Sequence, residues 1–189
     1  MDEKYQLSTL GVRAGQARTE FQEHAEALFL TSSFVFDNAA QAQARFVGGD
    51  PGVVYSRYTN PTVSMFQDRL AALEGAEACV GTASGMSAIL ALGMSLLKAG
   101  DHVVCSRAVY GGTARLLQQL LPDLGISATF VDTTDLAAVA GAFQGRKTRL
   151  LFIETPANPT LDIMLSHEFD TARVNSRTIG STSTSAICP

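Results

Sequence analysis

The sequence predicts an α/β fold, and three observations carry that prediction. Short runs rich in Val, Ile and Leu alternate with longer, apolar-periodic segments from about residue 76 to residue 154. Glycine-bearing turns such as Ala99-Gly100-Asp101 and Leu124-Gly125 separate the two kinds of segment. The short runs are almost continuously apolar rather than alternating, which is the pattern of parallel strands covered on both faces.

Residues 1–60 hold no sustained period. They contain an amphipathic stretch over 21–30, the run Thr31-Ser32-Ser33-Phe34-Val35-Phe36, and the turn Gly48-Gly49-Asp50-Pro51-Gly52. Such a segment has no core of its own and reads as an irregular N-terminal arm. A helix follows over 62–73: Pro61 suits its first turn, Met65, Phe66, Leu70 and Leu73 are assigned to one face, and Gly75 ends it. The alternation then runs strand 78–80, helix 85–98, strand 102–106, helix 113–124, strand 126–131, helix 135–143 and strand 149–154. Thr134 or Asp135 caps the last of these helices. From about Met164 both periods lapse, and Ser181-Thr182-Ser183-Thr184-Ser185 is polar and of low complexity. The expected organisation is therefore an arm over 1–60, an incomplete α/β domain over 61–163, and an unrelated, disordered tail over 164–189.

Composition narrows the function classes. With 189 residues, 46% of them hydrophobic, the chain can bury a sizeable core. A net charge of −4 offers no basic footprint for nucleic acid or an anionic membrane. The longest apolar stretch, 88–97, is too short to span a bilayer. Met1-Asp2-Glu3-Lys4 begins no secretory signal, so a cytoplasmic location is expected. Cys79, Cys105 and Cys188 are too scattered for a disulfide framework, and the first two read as buried, reduced thiols. His24, His102 and His167 lack metal-ligand spacing, and no metal site is expected.

Four motifs carry chemistry. Gly81-Thr82-Ala83-Ser84-Gly85-Met86-Ser87-Ala88 joins a strand to a helix through small residues. Such a turn leaves backbone N–H groups at a positive dipole end, with Ser84 as cap and Gly85 allowing close approach of an oxyanion. No lysine follows as in a P-loop, and the spacing of a dinucleotide fingerprint fails. Tyr110-Gly111-Gly112-Thr113 follows the next strand, where a tyrosine ring can lie on a planar ligand. In Tyr55-Ser56-Arg57-Tyr58-Thr59-Asn60-Pro61 a guanidinium and a phenol can grip a phosphate. Glu154-Thr155-Pro156-Ala157-Asn158-Pro159 sets a carboxylate and an amide at a strand end. Taken singly, these motifs also fit a tight turn, a half-buried tyrosine, a surface arginine and a strand-ending loop, and a lone Tyr110 or Arg57 is better read in that plainer way.

Together and in this order, over about residues 8–162, they resemble the Cys/Met-metabolism (trans-sulfuration) family of pyridoxal-phosphate enzymes. The resemblance implies the N-terminal part of the large domain of the fold-type I, aspartate-aminotransferase-like architecture, with pyridoxal 5'-phosphate as cofactor. It makes Gly85 and Met86, beside Ser84, main-chain donors to the cofactor phosphate, and Tyr110 the ring stacked on the pyridine. Tyr55 and Arg57 would reach the phosphate of a neighbouring protomer, implying a homo-oligomer, a tetramer by family. Asn158 would lie near the cofactor's 3'-oxygen, and Glu154 would be substrate-proximal. Gly112 stands where the family's methionine γ-lyases carry a cysteine, which favours γ-replacement. Within the family, the arm and the tyrosine-arginine run are most similar to the O-succinylhomoserine sulfhydrylase branch, with cystathionine γ-synthases next. The implied reaction forms a C–S bond on an amino-acid substrate in methionine biosynthesis.

The resemblance also implies an aspartate for the pyridine nitrogen and a lysine that bonds the cofactor aldehyde, both on later strands. Neither motif occurs. Lys4, Lys98 and Lys147 are the only lysines, and none has the family's Ser-x-Thr context. A truncated or frameshifted chain is therefore expected, marginally stable and without γ-replacement activity. Such a chain is a piece of a sulfhydrylase-like enzyme; the alternatives are a cystathionine γ-synthase- or γ-lyase-like piece, or a remnant that only binds anions or joins full-length subunits.

Overall fold

The computed structural model describes residues 5–159 and 161. The chain divides into two compact units, Met1–Gly81 and Thr82–Pro189. This division falls at 81/82 rather than 60/61, because the helix after Pro61 is bonded to the segment before it. The Arg69 guanidinium donates to the Ala14 carbonyl at 3.0 Å and pairs with Glu26. Thr62 Oγ1 accepts the Phe29 N–H at 2.9 Å. The expected tail over 164–189 lies outside the described residues.

The first unit holds helices α1 (Leu7–Arg13), α2 (Ala39–Phe46) and α3 (Pro61–Glu74). The first two were not legible in the periodicity. α1 is seven residues long with no side-chain cap, whereas α2 does carry a cap, Asn38, whose side chain accepts the Gln41 N–H. The expected amphipathic stretch over 21–30 forms no helix. It is drawn out along α3, where Asn60 Nδ2 donates to the Phe29 carbonyl at 2.9 Å. α3 itself follows the sequence closely. Asn60 caps it by accepting the Thr62 N–H, Pro61 opens it, and Gly75 closes it in the left-handed region at φ 63°. Of its expected face, Met65 is buried and Leu70 and Leu73 are half-buried, but Phe66 is exposed. Phe66 follows Met65 directly, so the helix turns it about 100° away.

The segment 78–80 forms no strand, contrary to the sequence expectation. Three residues are few for a ladder, and Val80 is 79% exposed. Cys79 is half-buried rather than buried, while Cys105 is buried as expected.

The second unit contains α4 (Gly85–Leu96), β1 (His102–Ser106), α5 (Gly111–Arg115), α6 (Leu121–Asp123), β2 (Ser127–Val131), α7 (Leu136–Ala142) and β3 (Thr148–Phe152). A π-helical turn over Leu116–Leu120 joins α5 to α6, so the expected helix 113–124 is one run with an internal change of register. Pro122 has no N–H to donate at this point, which interrupts an α-helical ladder. Asp135 caps α7, accepting the N–H groups of Ala137 and Ala138.

The sheet is parallel, in the order β2-β1-β3. All five residues of β1 are buried. Successive side chains alternate between faces. Val103 and Cys105 join Leu97, Leu116, Leu117, Leu121 and Phe152 on one face, while Val104 packs with Val131 and Val139 on the other. Among the described residues no helix is long and apolar enough to cross a membrane.

His102 begins β1 fully buried, with one ring nitrogen 2.8 Å from Thr148 Oγ1 and the other 2.8 Å from Thr129 Oγ1. One imidazole thus links the three strands. Desolvation depresses its pKa below the ordinary 6.5. A depressed histidine favours the folded state fully above 6.5, and that contribution is lost as pH falls from there through the folded value. Urea unfolding should show a lower midpoint at pH 5 than at pH 7.5, and His102→Gln should remove this part of the pH dependence. In the first unit, Asn60→Ala should lower the unfolding free energy by about 2 kcal/mol in denaturant titrations, since it deletes a cap and a buried donor together.

Candidate active site

Parallel pairing sends the chain out of β1 and β3 at the same edge of the sheet, where ligand-binding loops of open α/β sheets lie. β1 leads to Tyr110 and β3 leads to Glu154. The helices that follow turns on this edge present their N-termini there.

The N-terminus of α4 is capped by a side chain. Ser84 is extended, at φ −159° and ψ 157°, and its hydroxyl accepts the Ser87 N–H at 3.1 Å. Thr82 Oγ1 steadies the turn by donating to the Ser84 carbonyl at 2.8 Å. The first turn of any helix has N–H groups without intrahelical partners. Ser84 takes that of Ser87, leaving those of Gly85 and Met86 for an outside acceptor at the positive end of a twelve-residue helix. Gly85 is exposed, and Met86 is half-buried against the core.

Tyr110 immediately precedes α5 and is 64% exposed. Its ring lies over Gly112. A Cβ on Gly112 would stand 2.6 Å from Tyr110 Cε1 and 3.0 Å from Met86 Sδ. The missing side chain of Gly112 therefore lets the tyrosine ring and the turn before α4 converge. From the end of β3, Glu154 accepts the Tyr110 N–H at 2.9 Å through Oε2. Burial, and then the charge of Glu154, push the nearby Cys105 thiol up to about 12, so it stays protonated and is a poor nucleophile. Asn158 is exposed in the turn that follows, next to the buried Ala157 and between two cis X-Pro bonds.

Tyr55 and Arg57 lie in the first unit. Tyr55 forms an antiparallel bridge with Ser33, and the Arg57 guanidinium sits 5.9 Å from the centre of the Tyr55 ring. Arg57 is exposed, and the ion pairs among the described residues, Arg45–Asp50 and Arg69–Glu26, do not involve it.

Of the residues singled out from sequence, Ser84, Gly85, Met86, Tyr110 and Glu154 are thus joined in the second unit through Gly112 and one hydrogen bond. Two features escaped that reading. The grip of Glu154 on a backbone N–H spans 44 residues and has no local signal. Thr113 is fully buried with its hydroxyl unpartnered among the described residues, and nothing in the sequence marks it. Lys98 and Lys147 are exposed and precede β1 and β3, at the edge of the sheet opposite Tyr110 and Glu154. A five-residue strand, about 16 Å long, separates the two edges.

Comparison with known proteins identifies the family. The family described as Cys/Met metabolism PLP-dependent enzyme matches residues 8–175. An O-succinylhomoserine sulfhydrylase of Pseudomonas aeruginosa is 56% identical over 158 residues, 84% of this chain and 39% of that protein. An L-methionine gamma-lyase of Fusobacterium nucleatum subsp. polymorphum is 42% identical over 161 residues, 85% of this chain and 40% of that protein. A Campylobacter jejuni structure described as an O-acetylhomoserine (thiol)-lyase, bearing N'-pyridoxyl-lysine-5'-monophosphate, superposes with a TM-score of 0.79 at 30% identity. It covers 85% of this chain and 40% of its own. The chain thus spans about 40% of the length of the relatives it matches. The sequence match over residues 8–175 and the shared α/β fold place this chain in the Cys/Met metabolism family of pyridoxal-phosphate-dependent enzymes.

Proposed function

We propose that this chain supplies the phosphate-holding half of a pyridoxal-phosphate site, in an enzyme that forms a C–S bond on O-succinylhomoserine in the cytoplasm. The observation that carries the reading is the convergence of Met86, in the first turn of α4, with the Tyr110 ring across Gly112. The residues fit the cofactor: a phosphate calls for N–H donors at a helix start, and a planar ring calls for an open aromatic face. The 56% identity to a sulfhydrylase supports the branch, as does glycine rather than cysteine at position 112.

Each residue then has a task. Gly85 and Met86 donate to phosphate oxygens, and the Ser84 hydroxyl keeps their turn open. Tyr110 covers one face of the pyridine ring and keeps water from it. Asn158 offers an amide to the polar rim of the ring. Tyr55 and Arg57 offer a phenol and a guanidinium to a phosphate held by a second subunit. When bound, the cofactor supplies an electron sink for charge developing on the substrate carbons. In the overall reaction, the γ C–O bond to succinate breaks and a C–S bond to sulfide forms. The described lysines sit at the far edge of the sheet, so the described residues hold the phosphate and supply no lysine beside it.

Pyridoxine 5'-phosphate, which has no aldehyde to react with surface lysines, is the suitable probe. Calorimetry on the full chain should detect binding of this ester and not of pyridoxine. Gly85→Pro removes one donor at a position where proline is tolerated, after a residue already extended. It should weaken binding about tenfold or more while leaving the circular dichroism unchanged. Equal affinity for both probes would overturn the assignment. Gly112→Cys must displace the Tyr110 ring, so it should weaken the ester severalfold and leave the affinity for inorganic phosphate unchanged.

A further inference from the structure

We infer that Glu154 is a positioning residue: its carboxylate clasps the Tyr110 backbone and thereby sets where the tyrosine ring lies. The inference deepens the cofactor-site reading above and rests on it for the ring's purpose, but the clasp itself is a property of the folded chain. The geometry carries it. Glu154 Oε2 accepts the Tyr110 N–H at 2.9 Å, from a strand whose register with β1 is fixed by the pairing of Cys105 with Phe152. Glu154 follows Phe152 by two residues and Tyr110 follows Cys105 by five, so both ends of the bond are anchored in one ladder.

Tyr110 needs such an anchor. It stands at φ −51° and ψ 137°, outside the helix it precedes, and its side chain does not cap that helix. Its ring rests on a glycine, which supplies a floor but no side-chain wall. Fixing the backbone N–H fixes Cα, and the ring then has only its side-chain torsions left to settle over Gly112 and Met86. A carboxylate is well suited to the task, because an ionised acceptor makes a stronger bond to N–H than a neutral one. Its charge also faces the start of the helical run from Gly111, the favourable end for an anion. With Oε2 engaged in this way, Glu154 acts through Tyr110 rather than on a substrate.

Amide hydrogen exchange of the full chain, read at Tyr110 by NMR, tests the clasp without any cofactor. The Tyr110 amide should be protected although it precedes the helix. Glu154→Ala should speed its exchange about tenfold or more, and Glu154→Gln, which keeps an acceptor oxygen, should restore most of the protection. An unprotected Tyr110 amide in the unsubstituted chain would overturn the inference even if the alanine variant fails to fold. So would a glutamine variant that exchanges as fast as the alanine one. Binding reads the ring: pyridoxine 5'-phosphate should weaken severalfold in Glu154→Ala and recover in Glu154→Gln, with inorganic phosphate unchanged throughout. Equal ester affinity in all three would overturn the positioning role. If the ester binds none of them while the exchange pattern holds, the cofactor reading and the ring's positioning role fall together, and the clasp remains.

Discussion

The central strand β1 is the constraint on which the second unit depends. It is hydrogen-bonded on both sides, all five of its residues are buried, and it contributes to both faces of the core. A strand in that position cannot slip by one residue without exchanging Val103 and Cys105 for Val104 across the sheet. Its parallel neighbours are therefore held in register as well. That register determines which loops meet. The chain leaving β1 and the chain leaving β3 emerge side by side, and Tyr110 comes within hydrogen-bond reach of Glu154.

The two ends of this strand have opposite characters. At its start, His102 satisfies both ring nitrogens with threonine hydroxyls from the adjoining strands, a closed polar lock in a dry setting. At its end, the sheet opens into N–H groups and an exposed tyrosine. In parallel α/β sheets the second kind of edge is where ligand-binding loops lie. The described lysines, Lys98 and Lys147, fall on the His102 edge, a strand's length from Tyr110 and Glu154.

Glycine shapes the candidate site because of what it omits. At Gly112 any side chain would collide with Tyr110 and Met86, so the absence of one atom decides whether ring and turn can meet. A cysteine at this position would have to displace the ring or the thioether, giving a pocket of different shape. The effect of a cysteine at position 112 would thus be steric before it is chemical.

By itself the sequence determined the local elements whose signals are local. Pro61, Asn60 and Gly75 delimit α3, Ser84 caps α4, and the apolar run over His102–Ser106 forms β1 with the bounds that the pattern implied. The motif order was enough to place the family. Only tertiary structure decided the rest. It left 78–80 unpaired, because a strand exists only where a neighbour completes its hydrogen bonds. It drew 21–30 along α3 instead of coiling it, because Asn60 and Thr62 satisfy its backbone there. It joined Glu154 to Tyr110 because strand register, unlike a cap or a turn, is set between residues far apart in the chain.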